Sequence, residues 1–158
     1  MKGLKKIAIV IFVVCFMTFS SIQAFAITNV ADTLGTALPL YHAGMSGWDG
    51  SSSSSNLLID SPSDKDWYEI DNGLGNPFSF MITLTPPSNI TYDVQFVRMD
   101  TNGIISGPYN IGNSGPGSPV IFGTDVQRGC RVYIIVSPHS SSDYDASRPY
   151  KLEFLKLN

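Results

Sequence analysis

The sequence is poor in the residues that catalysis and nucleic-acid binding draw on. It holds two histidines and two cysteines in 158 residues. His42, His139 and Cys130 show none of the ligand spacing of a zinc site. No serine lies in a glycine-flanked nucleophile motif, so Ser137, His139 and Asp143 read as residues of polar loops rather than a triad. The chain is therefore expected not to be an enzyme. Basic residues are also scarce. Lys2, Lys5 and Lys6 precede residue 27, which leaves seven basic against thirteen acidic residues and a net charge of −6 from Ile27 onward. Phosphate recognition needs clustered Lys and Arg, so nucleic acid and anionic surfaces are poor partners. Helical periodicity is missing from the same region.

Long apolar runs are missing too. The longest, Ile7 to Phe19, is 13 residues, short of the about 20 that span a membrane. It follows the three lysines and precedes Ala24-Phe25-Ala26, a small-x-small cleavage pattern. Residues 1–26 therefore read as a secretory signal peptide. Cys15 follows Val13-Val14 rather than a small residue, which argues against a lipid anchor. Cleavage after Ala26 leaves 132 of the 158 residues, the size of a single domain (27–158). The expected product is secreted, extracellular or surface-associated, with no membrane contact once cleaved. One cysteine remains, Cys130 in 128-RGCRV-132, and it can close no internal disulfide. The fold must rest on its apolar core, with or without metal. Cys130 reads either as a small apolar residue or as a thiol for an intermolecular bond.

What is present is β-patterning. In 78-FSFMITL-84, Phe78, Phe80, Ile82 and Leu84 alternate with Ser79, Met81 and Thr83, which predicts a strand with one buried face. Pro86-Pro87 ends it. In 91-TYDVQFVRM-99, Tyr92, Val94 and Phe96 alternate with Asp93 and Gln95. The Asn-Gly pair of 100-DTNG-103 predicts a hairpin turn, with Ile104-Ile105 starting the return. The segment 131-RVYIIVSP-138 has the β-branched and aromatic content of a central strand. Tyr150, Leu152 and Phe154 mark a closing strand in 149-PYKLEFLKL-157. Shorter strands are expected at Val120–Phe122, at 56-NLLID-60, and near Leu38 to Tyr41 after one turn of helix. Two segments read as exposed loops, 107-GPYNIGNSGPGSP-119 and 139-HSSSDYDASR-148. The tract 47-GWDGSSSSSN-56 reads as exposed and of low complexity. About eight short strands at this spacing predict an all-β antiparallel sandwich or jelly roll.

The stretch 64-DKDWYEI-70 carries the sharpest chemical question. Period two sends Trp67 and Glu69 one way and Tyr68 and Ile70 the other, with Asp64 and Asp66 at the mouth of the strand. Trp67 is expected to be mostly buried. Asp60 stands just upstream, and Asn29 and Asp32 can approach from the N-terminal side. Such a set of oxygen donors suits Ca²⁺, although its spacing is not that of an EF-hand. The same carboxylates also serve as solvated turn-formers that cap backbone amides. A second candidate is an aromatic binding face. Tyr41, Trp48, Tyr109, Tyr133 and Tyr144 lie in loops or on the less apolar face of a strand, where exposed rings stack on sugars or peptides.

Taken in order, 31-ADTLGTALPL-40, 64-DKDWYEI-70, 82-ITLTPPSNITYDVQFV-97, 129-GCRVYIIVSP-138 and 150-YKLEF-154 resemble the bacterial pre-peptidase C-terminal domain. That family includes the collagen-binding modules of secreted clostridial collagenases. The resemblance spans nearly all of 27–158. It implies a bacterial jelly-roll sandwich and a non-catalytic binding or accessory module for an extracellular protein or polysaccharide. It also implies calcium near the N-terminal linker and the acidic start of the strand. The chain departs from the family in its longer loops at 107–119 and 139–148 and in carrying no protease domain. The alternative is a structural envelope or matrix protein that assembles through edge strands or Cys130.

Overall fold

The computed structural model describes residues 30–44 and 52–157. They form nine strands: β1 (Leu38–His42), β2 (Ser52–Ser55), β3 (Asp66–Asp71), β4 (Phe78–Thr85), β5 (Tyr92–Met99), β6 (Ile105–Asn113), β7 (Val120–Val126), β8 (Arg131–Pro138) and β9 (Lys151–Lys156). A single 3₁₀ turn, Leu34–Thr36, precedes β1. The strands make two sheets, in the orders β1-β3-β8-β5-β6 and β2-β9-β4-β7. The pairings nest: β5 with β6, β4 with β7, β3 with β8 and β2 with β9, all antiparallel. This is one long ribbon rolled on itself, the connectivity of a jelly roll. β1 is added at one edge, parallel to β3.

Alternation in sequence becomes the two faces of each strand. In β4 the even residues Phe78, Phe80, Ile82 and Leu84 are buried and the odd ones are not. They meet Tyr68 and Ile70 of β3, Tyr92 and Val94 of β5, Ile134 and Val136 of β8, and Leu152 and Phe154 of β9 in the main core. Burying each such side chain contributes about 1.5–3 kcal/mol. An aromatic ladder crosses the sandwich. Tyr41 stacks on Phe154 at 5.3 Å, Phe154 lies 5.7 Å from Phe80, and Phe122 stacks on Phe96 at 5.2 Å. Tyr109 of β6 ends the ladder, 5.0 Å from Phe96. A second small cluster, Val97, Tyr133 and Ile135 with Leu34, Ala37, Trp67 and Met99, lies on the opposite face of the five-stranded sheet.

Four expectations need correction. Residues 56–60 are not a strand; the strand of that region is β2, inside the serine tract, paired with Leu152–Leu155 of β9. Serine offers no hydrophobic signal, and the pairing partner alone selects this segment. The loop expected at 107–119 is mostly β6, since pairing with β5 reaches Asn113. An edge strand tolerates the proline and glycines that made it read as loop. Tyr41 and Tyr133 are buried, at 4% and 2% exposure, so neither ring belongs to an exposed face. Trp67 is only half-buried and points away from the main core.

Candidate functional site

The strongest constellation gathers at the mouth of β3. The turn 61–64 closes through the Asp64 N–H, which donates to the Ser61 carbonyl at 3.2 Å. Asp64 in turn accepts the Asp60 N–H on Oδ2 at 2.8 Å. Asp66 is the first residue of β3, and the strand's alternation turns its carboxylate inward, leaving it 2% exposed. Asp32 arrives from far away in sequence. The Trp67 N–H donates to the Ala31 carbonyl at 2.7 Å, which lays the N-terminal segment against β3. Ala31 is fully buried and left-handed, with φ of 68°. A non-glycine residue there costs about 1–2 kcal/mol, and the hydrogen bond and burial offset it.

Asp32, Asp64 and Asp66 each place one carboxylate oxygen within 4.8 Å of the others. A pocket of about 170 Å³ opens beside them, lined by Asp32, Asp60, Ser61, Ser63, Asp64 and Lys65. Asp60 stands outside the three-donor group and contributes its amide and its charge. Asn29 and Trp48 lie outside the described residues.

Asp66 is anchored from the opposite sheet. Tyr150 donates its hydroxyl hydrogen to Asp66 Oδ2 at 2.6 Å. The Tyr150 oxygen lies 2.5 Å from that of Tyr68, so Tyr68 is left to donate to Tyr150. The result is a buried relay, Tyr68 to Tyr150 to Asp66, which leaves Oδ1 of Asp66 for another partner. Burial above all, against the opposing Tyr150 hydrogen bond and with the charges of Asp64, Asp32 and Asp60, brings the Asp66 carboxyl up to about 7. Burial, with Asp60 and Asp32, also raises Asp64. Carboxylates that repel in a half-dry pocket favour either a proton or a cation. An all-oxygen donor set selects a hard cation such as Ca²⁺ over a soft metal.

A second ionic cluster lies on the outer face of the five-stranded sheet, unforeseen in the sequence because it depends on the parallel β1–β3 register. That register sets His42 opposite Asp71, with His42 Nε2 3.1 Å from Asp71 Oδ2. Arg131 Nε donates to Asp71 Oδ2 at 2.9 Å and lies 3.4 Å from Glu69 Oε1. Tyr133 donates to that same Glu69 oxygen at 3.0 Å. Although His42, Glu69 and Asp71 have metal-ligating donors close together, the Arg131 guanidinium already pairs with both acids. This cluster is a salt-bridge network.

Among the described residues the expected aromatic face does not assemble. Tyr109 and Tyr144 are 47% and 40% exposed, but they sit apart. The loop around Tyr144 is pinned by Asp143, which accepts the Thr91 N–H, and by the Asp145 N–H, which donates to Ile59. Tyr109 instead faces Phe96, five residues along β5 from Thr91, about 17 Å at strand rise. Two of the three residues considered for a triad are engaged elsewhere: His139 Nδ1 lies 2.8 Å from Asp93 Oδ1, while Asp143 also holds Ser140 Oγ. Cys130 is half-buried against the core.

No family model matches the sequence, and no curated protein matches it. Among solved structures, the Yersinia pseudotuberculosis-derived mitogen aligns with TM-score 0.47 and 12% identity, covering 66% of this chain and 84% of that one. The pre-peptidase C-terminal domain of a Bacillus anthracis collagenase aligns with TM-score 0.42 and 11% identity, over 77% of this chain and 94% of that domain. PliG of Aeromonas hydrophila, a periplasmic inhibitor of g-type lysozyme, aligns with TM-score 0.43 and 16% identity, over 77% and 96%. A pre-peptidase C-terminal domain is thus among the structural neighbours of this chain. The jelly-roll assignment itself rests on the strand pairings described above. Among the described residues no helix is long and apolar enough to cross a membrane.

Proposed function

We propose that this chain is a secreted, non-catalytic binding or accessory module, stabilised by calcium, for an extracellular protein or polysaccharide. One observation carries the calcium reading: Asp32, Asp64 and Asp66, from two separate segments, bring carboxylate oxygens within 4.8 Å of one another. A cation held there would fasten the segment before β1 to the start of β3 and relieve the repulsion that adds to burial in raising Asp66. Asp32, Asp64 and Asp66 would hold it, with Asp60 adding charge nearby. The sequence resemblance supports the module reading, as do the signal-peptide pattern and the mature charge. Tyr109 and Tyr144 offer exposed rings for a partner, at two separate places rather than on one surface.

Thermal unfolding in chelator and then in excess Ca²⁺ tests the metal part. A ligand at about 100 times its Kd adds roughly 2.7 kcal/mol, a rise of several degrees for a domain of this size. The rise should vanish in Asp64→Ala, and magnesium should not reproduce it. An equal midpoint in chelator and calcium would remove the metal and leave the acids as turn chemistry. Pull-down on collagen, chitin and cell wall, with Tyr109→Ala and Tyr144→Ala, tests the module part.

A further inference from the structure

Four strands end the two sheets: β1 and β6 in one, β2 and β7 in the other. An edge strand presents unpaired N–H and C=O groups, and soluble folds blunt it with prolines, bulges, shortness or charge. β1 holds Pro39 and a break in register against β3. β6 holds Pro108 and two breaks against β5. β2 is four residues long. β7 has no proline, no bulge and no shortness to blunt it. Its seven residues, VIFGTDV, pair with β4 without a break and include no proline, lysine or arginine. Its one charge, Asp125, sits near the end of the strand, where it accepts a 2.7 Å hydrogen bond from Ser79 Oγ.

The outward face of β7 also carries a knob and a hole. Ile121 is 61% exposed. Two residues on, on the same face, Gly123 leaves bare backbone. We propose that β7 pairs antiparallel with β7 of a second copy about a two-fold axis at Phe122, joining two four-stranded sheets into one of eight strands. In that register Ile121 lies opposite the partner's Gly123, and the reverse, so each exposed side chain covers the bare backbone of the other copy. Such an interface is isologous, as a two-fold requires. Asp125 falls opposite the partner's Pro119, so no like charges oppose each other across the pair. Knob and hole in one strand, two residues apart, point to a second copy rather than a foreign strand.

Sedimentation velocity of the purified protein in reductant, over a wide concentration range, tests this. The expected result is a concentration-dependent dimer. Ile121→Lys should weaken self-association on the order of tenfold or more. Leu155→Lys, exposed on the same sheet but two strands from β7, should leave it intact. Circular dichroism reports whether each variant folds, and Ile121→Thr replaces the lysine variant if that one does not. A monomer at every concentration overturns the proposal. So does a dimer indifferent to both Ile121 substitutions, one lost equally in Leu155→Lys, or one seen only without reductant, which would be a Cys130 disulfide.

Discussion

Tyr150 donates to Asp66 at 2.6 Å across 84 residues of sequence, tying the last strand to the acidic mouth of β3. Both residues are buried. A Tyr150→Phe variant keeps the ring against Tyr68 and Tyr92 and removes only the hydroxyl. It leaves Asp66 without its donor and Tyr68 with Ser55 as its remaining side-chain partner. A buried group stripped of its partner costs about 1–3 kcal/mol. Urea unfolding should show that loss as a lower midpoint at unchanged slope. The Asp66 carboxyl should also rise further, since Tyr150 is what holds it down.

The raised Asp66 carboxyl gives metal-free stability a pH slope. Its folded pKa is about 7, against about 3.9 for an unfolded aspartate. Between those values the folded state holds a proton that the unfolded state has released. Its contribution is therefore full below about pH 4 and is lost as pH rises through 7. About three pKa units at 1.36 kcal/mol each bound the effect at about 4 kcal/mol. In chelator, wild type should lose stability relative to Asp66→Asn from pH 4 to 7.5. Parallel curves for the two proteins would show that Asp66 ionises as easily folded as unfolded.

Calcium and protons should compete at this site. A cation needs Asp66 and Asp64 ionised, and both are raised. The calcium-induced rise in melting temperature should then be small at pH 5.5 and large at pH 8, and binding should release protons. Titration calorimetry in buffers of different ionisation enthalpy measures that release directly. An equal rise at both pH values would place the bound ion away from Asp66.

Much of this architecture is legible in the sequence where one face of a strand is buried. β4, β5 and β9 announce themselves because alternate residues are large and apolar, and β8 because its run of β-branched and aromatic residues is that of a central strand. β2 and β6 do not, because an edge strand of serines or of Gly, Pro and Asn buries little and is chosen by its neighbour. The site divides in the same way. Asp64 and Asp66 are visible as a local pair ahead of a strand. The approach of Asp32 depends on a backbone bond from Trp67 to Ala31, and the anchoring of Asp66 depends on Tyr150. Neither contact is local, so periodicity carries no trace of them. The tyrosines failed as a group because composition marks a ring as available without saying which face of the strand it takes. Tyr133 turned inward into the second cluster and Tyr109 did not.

Two glycines near the β5–β6 hairpin separate backbone strain from crowding. Gly103 closes the turn with φ of +77°, and a Cβ there would meet nothing within 4 Å. Its N–H bonds to the Asp100 carbonyl at 3.0 Å, and Asp100 Oδ1 accepts the N–H groups of Asn102 and Ile104 at 2.8 Å each. Gly103→Ala therefore carries only the left-handed penalty, about 1 kcal/mol. Gly107 has φ of +114°, and a Cβ there would lie 2.9 Å from the Phe96 carbonyl oxygen and 3.1 Å from the Tyr109 ring. The clash is with backbone, so it is relieved only by moving β6 off β5. Gly107→Ala should cost roughly 3 kcal/mol or more, with overpacking added to a strained φ. It should also disturb the Tyr109–Phe96 contact that ends the aromatic ladder. Thermal unfolding of both variants, with near-ultraviolet circular dichroism for the tyrosine, checks the ranking. Equal losses at the two positions would mean that β6 yields freely at its edge.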